Sequence, residues 1–276
     1  MKHSDQYGIR VVERAAVVLR TLADGDGPRA LPVVADAAGL SRPTTFRLLR
    51  TLEGLGYVRG ADGRYSLGLG ILELAQALTR QLHVVALARP ILVEVRDELD
   101  ETCGLSIPSG DACVAITQVE ATQSVRRVIP PGARRPLYAS SAGKVVLAEF
   151  EPAELEAYIA RTAFTPFSST TTTDPAELRA QLVAVRQHGA CWGVNGRGDG
   201  GASVSFPVYQ HDGRLAAVMV IVCPVSRFSD AFRQRCLVVG KRAAQRISER
   251  LARHLAVDAS SREQSPGPAS GRGGRH

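Results

Sequence analysis

Apolar residues recur every three or four positions near the start of the chain, and this spacing predicts α-helices. Three such segments follow one another, with a Gly-containing turn between the last two: residues 9–23, 31–40 and 41–55. Two short β-prone runs then flank Asp62 and Gly63, and this arrangement predicts a hairpin. A helix, a helix–turn–helix and a hairpin in this order are typical of a winged helix–turn–helix domain, which we place at residues 8–67.

The rest of the chain shows three further patterns. Residues 68–82 carry an apolar helical face and predict a helix that links two domains. Residues 83–256 mix helical segments with short strands that do not alternate strictly, which predicts an α+β domain with a largely antiparallel sheet. Residues 257–276 are rich in Gly, Ser and Pro and predict a disordered tail. The strands are expected at 103–109, 112–120, 124–129, 190–195, 202–210 and 214–222.

The helix at residues 41–55 has two chemically different faces. On a helical wheel, Thr45 and the leucines fall on the side expected to face the core: Leu48, Leu49, Leu52 and Leu55. The arginines fall on the other side with Phe46, whose exposure is costly without a partner such as a thymine methyl group. The helix and hairpin together predict a DNA-binding surface made of Ser41, Arg42, Pro43, Thr44, Phe46, Arg47, Arg50, Arg59 and Arg64. A solvated basic face is the alternative interpretation.

The net charge of +7 adds little to the DNA-binding interpretation because of where the charge lies. Residues 1–82 carry a net charge of only +3, whereas residues 227–256 carry +6. The second segment is expected to form a long basic helix at about residues 228–255. We interpret that helix as a solvated face, with contact to DNA or to a partner as the alternative.

The sequence lacks the patterns of an enzyme, a metal site or a membrane protein. Its six histidines show no metal-ligand spacing, and neither GxSxG nor HExxH occurs, so no catalytic residue, metal or cofactor is expected. No apolar run reaches the ~18 residues of a membrane helix, and the N-terminus has no uninterrupted apolar signal region. Five widely spaced cysteines without a CxxC motif indicate reduced thiols. We therefore expect a cytoplasmic protein that contacts no membrane.

Six stretches of the chain are each only modestly specific, but their order and spacing together point to one protein family. They are "GLSRPTTFRLLRTLEGLGYV", "YSLGLGILELA", "LARPILVEVRDELDETCGLSI", "PGARRPLYASSAGKVVLAEF", "TTDPAELRAQLVAVRQHG" and "SFPVYQHDGRLAAVMVIVCPVSRFSD". Over roughly residues 8–250 the chain resembles the IclR family of bacterial transcriptional regulators. The resemblance implies a winged helix domain that binds a double-stranded DNA operator, a linker helix that dimerises, and a GAF-like domain that binds a small effector. It also implies a homodimer or a homotetramer.

The resemblance further implies where an effector binds. In the family, effectors lie against the sheet and against the start of the helix after a turn that residues 140–143 match. N–H groups at a helix start suit a carboxylate, although an ordinary capped helix is the alternative. The family's Ser-x-Ser-Gly-Pro strand carries Val220 and Val222 here in place of its serines. The predicted effector-binding set is Ser140, Ser141, Ala142, Gly143, Trp192, Ser203, Val220 and Val222. A place in the core is the alternative for Trp192 and the two valines.

Together these patterns predict a ligand-responsive, DNA-binding regulator of a catabolic operon. Because valines replace serines, we expect an apolar pocket wall and a small organic acid as effector, with an aromatic acid favoured. Two stretches depart from the family pattern. Pro43-Thr44 replaces a Ser-Thr pair, and "CWGVNGRGDGG" replaces a region that often carries acidic residues. The alternatives are an architectural DNA-binding protein without a ligand and an enzyme built on the C-terminal domain.

Overall fold

The computed structural model describes residues 8–196 and 200–263. The chain divides into two compact units, Met1–Gln81 and Leu82–His276. Each unit has its own hydrophobic core, and each is described by itself. Among the described residues, no helix combines the length and the apolar character needed to cross a bilayer.

The N-terminal unit contains a helical core, a small sheet and a further helix. Its elements are α1 (Arg10–Ala23), β1 (Arg29–Ala30), α2 (Leu31–Ala38), α3 (Arg42–Gly54), β2 (Val58–Ala61), β3 (Arg64–Leu67) and α4 (Leu69–Gln81). The strands form an antiparallel sheet in the order β1–β3–β2. This arrangement confirms the predicted winged helix–turn–helix, and β1 is a two-residue strand that the sequence pattern did not indicate.

The apolar face of α3 packs into the core of this unit, as the helical wheel predicts. Leu48, Leu49 and Leu52 are buried there. The wheel also predicts a core position for Leu55, and this prediction is wrong because Leu55 is 60% exposed. Since α3 ends at Gly54, Leu55 follows the last helical residue, and the helical period no longer sets the direction of its side chain.

Two glycines join the start of α4 directly to the backbone between α3 and β2. The Gly68 N–H donates to the Tyr57 carbonyl at 2.8 Å, and the Gly70 N–H donates to the Gly56 carbonyl at 3.0 Å. A Cβ atom on Gly68 would lie 2.3 Å from the Gly56 oxygen. Only glycine therefore permits this approach, and α4 is bonded to the winged helix by main-chain contacts.

The C-terminal unit is built on a six-stranded sheet. Its elements are α5 (His83–Leu99), β4 (Thr102–Ser109), β5 (Ala112–Val119), β6 (Arg134–Pro136), α6 (Ser141–Ala148), α7 (Pro152–Arg161), α8 (Pro175–His188), β7 (Cys191–Val194), β8 (Gly201–Tyr209), β9 (Leu215–Pro224) and α9 (Asp230–Glu263). The strand order is β6–β5–β4–β9–β8–β7, and every neighbouring pair is antiparallel. The predicted α+β fold with an antiparallel sheet is thus confirmed.

Helices cover both faces of this sheet. Alternation along β9 places Met219 and Ile221 in the core formed with α5 and α9. Val218 and Val220 belong to the opposite core, formed with α6, α7 and α8. The two faces are therefore chemically separate, and the cavity described below lies on the α6 side.

Residues 124–129, predicted as a strand, form a loop instead. Side chains hold this loop in place, because the Ile129 N–H donates to the Gln118 Oε1 at 2.7 Å and Arg126 bonds Glu120 at 2.8 Å. Pro130 and Pro131 follow, and proline cannot donate to a strand ladder. The edge strand next to β5 is β6.

The basic helix α9 packs along α5, and its charges are matched there. Arg242 forms an ion pair with Glu98, and Arg246 forms one with Glu94. Arg242 and Arg246 thus stabilise the packing of α9 against α5.

The backbone of α9 is helical to Glu263, which lies inside the segment predicted as a tail, and residues 264–276 lie outside the described residues.

Candidate DNA-binding surface and effector cavity

The start of α3 is fixed by Ser41. The Ser41 Oγ accepts the Thr44 N–H at 3.4 Å and lies 2.9 Å from the Thr44 Oγ1, to which it donates. Pro43 sits in the first turn, where its missing N–H leaves no helical bond unmade. The two hydroxyl groups predicted to contact DNA therefore bond each other in this structure.

A row of exposed side chains runs along the outer face of α3. Arg42, Phe46 and Arg47 are exposed, with 46% of Phe46 accessible. Arg50 is exposed too, and it forms an ion pair with Glu53 at 2.6 Å. The other Glu53 oxygen accepts the Gly60 N–H at 3.1 Å, so Glu53 bonds α3 to the hairpin. Cations and one aromatic ring on an uncovered helix are suited to the major groove of DNA.

The hairpin presents the remaining two predicted arginines. Arg59 on β2 and Arg64 on β3 are exposed. Asp62 and Gly63 both have positive φ angles, of 50° and 71°, as a tight hairpin turn requires. The Arg64 Nη1 donates to the Pro28 carbonyl at 3.2 Å, which keeps the side chain beside the sheet. All nine predicted DNA-binding residues thus belong to α3, its cap or the hairpin.

The C-terminal unit encloses a cavity of about 110 Å³ between the sheet and the start of α6. Seven of the eight residues predicted to bind an effector line it: Ser140, Ser141, Ala142, Trp192, Ser203, Val220 and Val222. They come from α6 and its cap and from strands β7, β8 and β9. Alternation along β9 explains why the two valines share this side of the sheet.

Gly143 is the exception, because its role in the structure is packing. A Cβ atom there would lie 2.2 Å from the carbonyl oxygen of Leu137, so only glycine permits α6 to approach this backbone. The Gly143 N–H donates to the Ser140 Oγ at 3.0 Å. That N–H is therefore bonded within the helix cap, whereas the sequence analysis predicted that it would bind the carboxylate of a ligand.

Two hydroxyl groups that line the cavity, those of Ser141 and Ser203, belong to a cluster of three that continues to the buried Ser205. The Ser141 Oγ is 2.7 Å from the Ser203 Oγ and 2.7 Å from the Ser205 Oγ. Ser203 and Ser205 on β8 pair across the sheet with Val222 and Val220 on β9. The motif described above has serines on this strand where β9 carries valines, and the neighbouring strand β8 carries serine hydroxyls at the paired positions. Sequence reasoning missed Ser205, although the Ser-x-Ser spacing was a signal for it.

Three basic residues also line the cavity, and sequence reasoning identified none of them: Arg127, Arg135 and Lys144. The Lys144 Nζ donates to the Thr172 Oγ1 at 3.0 Å. Burial lowers the pKa of Lys144, because the charged form loses its hydration. No Asp or Glu occurs among the described residues that line the cavity. Arg127 and Arg135 each have a further interaction, whereas the partner of Lys144 is a neutral hydroxyl group.

A threonine-rich loop closes one side of the cavity. Thr170, Thr171 and Thr172 all line it. The Thr171 Oγ1 donates to the Gly196 carbonyl at 2.7 Å, and the Thr170 Oγ1 donates to the Val194 carbonyl at 3.0 Å. Hydroxyl groups thus join this loop to the end of β7.

Trp192 borders the cavity, but its ring lies on the opposite face of the sheet. It pairs across the sheet with Val204 and packs against the core formed with α5 and α9. The ring lies 5.5 Å from the Arg233 guanidinium carbon of α9 and 5.6 Å from the His188 ring at the end of α8. The Trp192 side chain is therefore turned away from the cavity.

Metal-binding clusters and reactive thiols were the remaining candidates for a polar site. Among the described residues no cluster of three His, Cys, Asp or Glu side chains could hold a metal ion. The five cysteines are free and buried, and burial raises the pKa of the Cys113 thiol to about 12.

The fold and its two sites define a class of protein, in which a winged helix–turn–helix DNA-binding domain is combined with a domain that encloses a small cavity. Residues 11–62 match the IclR helix-turn-helix domain, and residues 76–249 match the C-terminal domain of the bacterial transcriptional regulator IclR. The chain belongs to the IclR family of DNA-binding transcriptional regulators, which have an effector-binding domain and are not enzymes.

Similar proteins come from several bacteria. The HTH-type transcriptional regulator Rv1719 of Mycobacterium tuberculosis is 36% identical over 223 residues, which are 80% of this chain and 85% of that protein. The crystal structure of a transcriptional regulator from Rhodococcus sp. RHA1 has a TM-score of 0.76 at 30% identity, covering 89% of this chain and 99% of that one. An IclR homologue from Microbacterium hydrocarbonoxydans, solved in complex with 4-hydroxybenzoate, shares the fold with a TM-score of 0.74 at 21% identity, covering 87% and 98%.

Proposed function

We propose that this chain is a cytoplasmic, ligand-responsive regulator of a catabolic operon, and that a small organic acid bound in the α6 cavity changes its affinity for operator DNA. The observation that carries the proposal is the cavity itself. Its described lining combines three cations, a hydroxyl cluster and an apolar wall, without a carboxylate. An organic acid supplies the anionic group, the polar group and the apolar body that complement such a lining.

The effector proposed for this cavity is an organic acid with a hydroxyl group and an apolar body. Val220 and Val222 supply the apolar wall on which the expectation of an aromatic acid depends. The hydroxyls of Ser141 and Ser203 bond each other, and each oxygen has two acceptor lone pairs, so this pair favours a ligand that also carries a hydroxyl group. The complex of the Microbacterium homologue with 4-hydroxybenzoate is an example of such a ligand in a related fold. A closed cavity of about 150 Å³ holds benzene, and the present cavity of about 110 Å³ is of similar size.

The DNA-binding proposal assigns the row on α3 to base edges and the hairpin arginines to phosphates. Arg42, Phe46 and Arg47 supply the contacts expected in the major groove. Arg59 and Arg64 lie on the hairpin, where a wing contacts the DNA backbone. An architectural protein without a ligand would need the same surface but would have no use for the cavity.

The proposed assembly is a homodimer or a homotetramer in which α4 pairs with a second copy. None of the residues of α4 is buried in the single chain. Its leucines are at least half exposed: Leu69, Leu72, Leu74 and Leu78. A symmetric dimer would cover this apolar face and would present two copies of α3 to two half-sites.

A ligand screen tests the effector proposal. Thermal unfolding would be followed with 4-hydroxybenzoate, benzoate, pyruvate, glyoxylate and tartrate, since a ligand at 100 times its Kd adds about 2.7 kcal/mol of stability. Any acid that stabilises the protein would then be added to a gel shift with operator DNA. A changed operator affinity supports the proposal. Stabilisation by no acid, or stabilisation with no effect on operator binding, would refute it.

A further inference from the structure

Lys144 is a mostly buried cation that faces the cavity with a neutral partner. Its Nζ donates to the Thr172 Oγ1 at 3.0 Å, and among the described residues no carboxylate lies within ion-pair distance of it. The carboxylate of Glu177 is connected to Lys144 only through the side chains of Thr172 and Gln181. The Thr172 Oγ1 donates to the Gln181 Oε1 at 3.1 Å, and the Gln181 Nε2 donates to the Glu177 Oε1 at 2.7 Å. The chain of hydrogen bonds therefore orients Lys144 without neutralising it.

A lysine at this position is unusual for this chain. Only three of its 34 Lys and Arg residues are lysines: Lys2, Lys144 and Lys241. Burying an unpaired charge is costly, and burial lowers the pKa of Lys144 accordingly. The charge of Glu177, and that of Cys191 when its thiol ionises, act in the opposite direction and raise the pKa of Lys144; burial raises the pKa of the Cys191 thiol to about 11. A feature that costs stability in the ligand-free protein and faces a cavity is typical of a binding group.

Among the described residues, Lys144 has no carboxylate partner. Arg127 and Arg135 also line the cavity, and each has an interaction of its own. The Gly143 N–H at the start of α6 is bonded to the Ser140 Oγ and is not available to an anion. An anionic group of a ligand would therefore give Lys144 the charged partner that the described residues do not supply.

We propose that Lys144 is the charge partner of the effector, so that its ammonium binds the carboxylate of an organic acid while Thr172 acts as the positioning residue. The inference rests on the proposed function, because it names the group that makes the cavity specific for acids. It also predicts that amides of the same acids bind poorly, since they carry no charge for the ammonium.

Isothermal titration calorimetry provides the binding assay, because it needs no reporter group in the cavity. The ligands are 4-hydroxybenzoate and pyruvate, each with its amide, and the proteins are wild type, Lys144→Met, Lys144→Arg and Lys241→Met. Lys241 is an exposed lysine on α9, so its substitution is the matched control. Wild type and Lys241→Met are expected to bind at least one of the acids and neither amide. Lys144→Met should bind that acid about 30-fold more weakly or worse, and Lys144→Arg should recover part of the affinity.

A pH series separates charge from packing. The wild-type affinity for the acid should fall as pH rises through the pKa of Lys144, which burial places below its usual value. The affinity of Lys144→Arg should stay constant over the same range, because arginine keeps its charge. Equal pH profiles in the two proteins would overturn the inference.

Stability without ligand gives an independent test. Lys144→Met removes an uncompensated buried charge and leaves Thr172 bonded to Gln181, so its unfolding midpoint should rise relative to Lys241→Met. A lower midpoint would mean that Lys144 is a structural residue and would overturn the inference. If wild type binds acids, and Lys144→Met binds them equally well, the inference fails and the proposed function stands. If wild type binds no acid, both fail.

Discussion

Replacing Gly143 with alanine tests whether the start of α6 is held by contact between two backbones. The added Cβ would lie 2.2 Å from the Leu137 carbonyl oxygen and 2.3 Å from the Leu137 Cα. Backbone atoms cannot rotate away as a side chain can, so the cost should approach the upper end of the 1–3 kcal/mol typical of overpacking. Alanine gains about 1 kcal/mol over glycine in a helix, which leaves a net loss of about 2 kcal/mol.

This loss should be visible in thermal unfolding as a midpoint lower by about 4–8 °C, the shift expected for a domain of this size. Gly54→Ala is the matched control, because Gly54 is also helical and no atom lies within 4 Å of its added Cβ. The control should be neutral or slightly stabilised. Because Gly143 follows the cavity residues Ser140 to Ala142, the variant should also bind acids more weakly. A Gly143→Ala protein as stable as wild type would refute the packing argument.

The other predictions concern DNA binding and assembly. Arg47→Ala should weaken binding to a specific operator by about 1–3 kcal/mol in gel shifts, and unchanged affinity in a folded Arg47→Ala/Arg50→Ala double variant would contradict the recognition-helix assignment. Arg64→Ala should weaken binding to all sequences alike and should flatten its salt dependence, whereas a loss confined to one sequence would argue against a phosphate contact. Leu72→Glu with Leu78→Glu should dissociate the wild-type oligomer in light scattering, and a wild-type monomer on and off DNA would refute pairing through α4.

Periodicity and local turn signals predicted most elements of this fold, but not the short strands β1 and β6. The helical spacing of α3 and the cap at Ser41 are properties of neighbouring residues, and the structure has both. The alternation along β9 likewise placed Val220 and Val222 on one side of the sheet. Predictions failed where an element ends or where pairing is not local. Leu55 follows the end of its helix, and the strand predicted at 124–129 is a loop because no partner strand bonds it.

The cavity could be predicted only in part, because its lining comes from segments far apart in the chain. The turn at Ser140 and the valines of β9 were recognisable from their place in family motifs. Lys144 lay inside the same motif, but its role depends on Thr172, which the fold brings to it from 28 residues away. Neither periodicity nor spacing could indicate that contact.

The main-chain joint at Gly68 and Gly70 has a consequence for the DNA sequence that a dimer can read. Because α4 is bonded to the winged helix through the Gly56 and Tyr57 carbonyls, the distance from α4 to α3 is a fixed length. In a dimer formed through α4, the two α3 helices stand a constant distance apart about the two-fold axis. Inserting one base pair between half-sites rotates one of them by about 35° on DNA with 10–10.5 base pairs per turn. The operator should therefore tolerate substitutions in its centre far better than a change in its length.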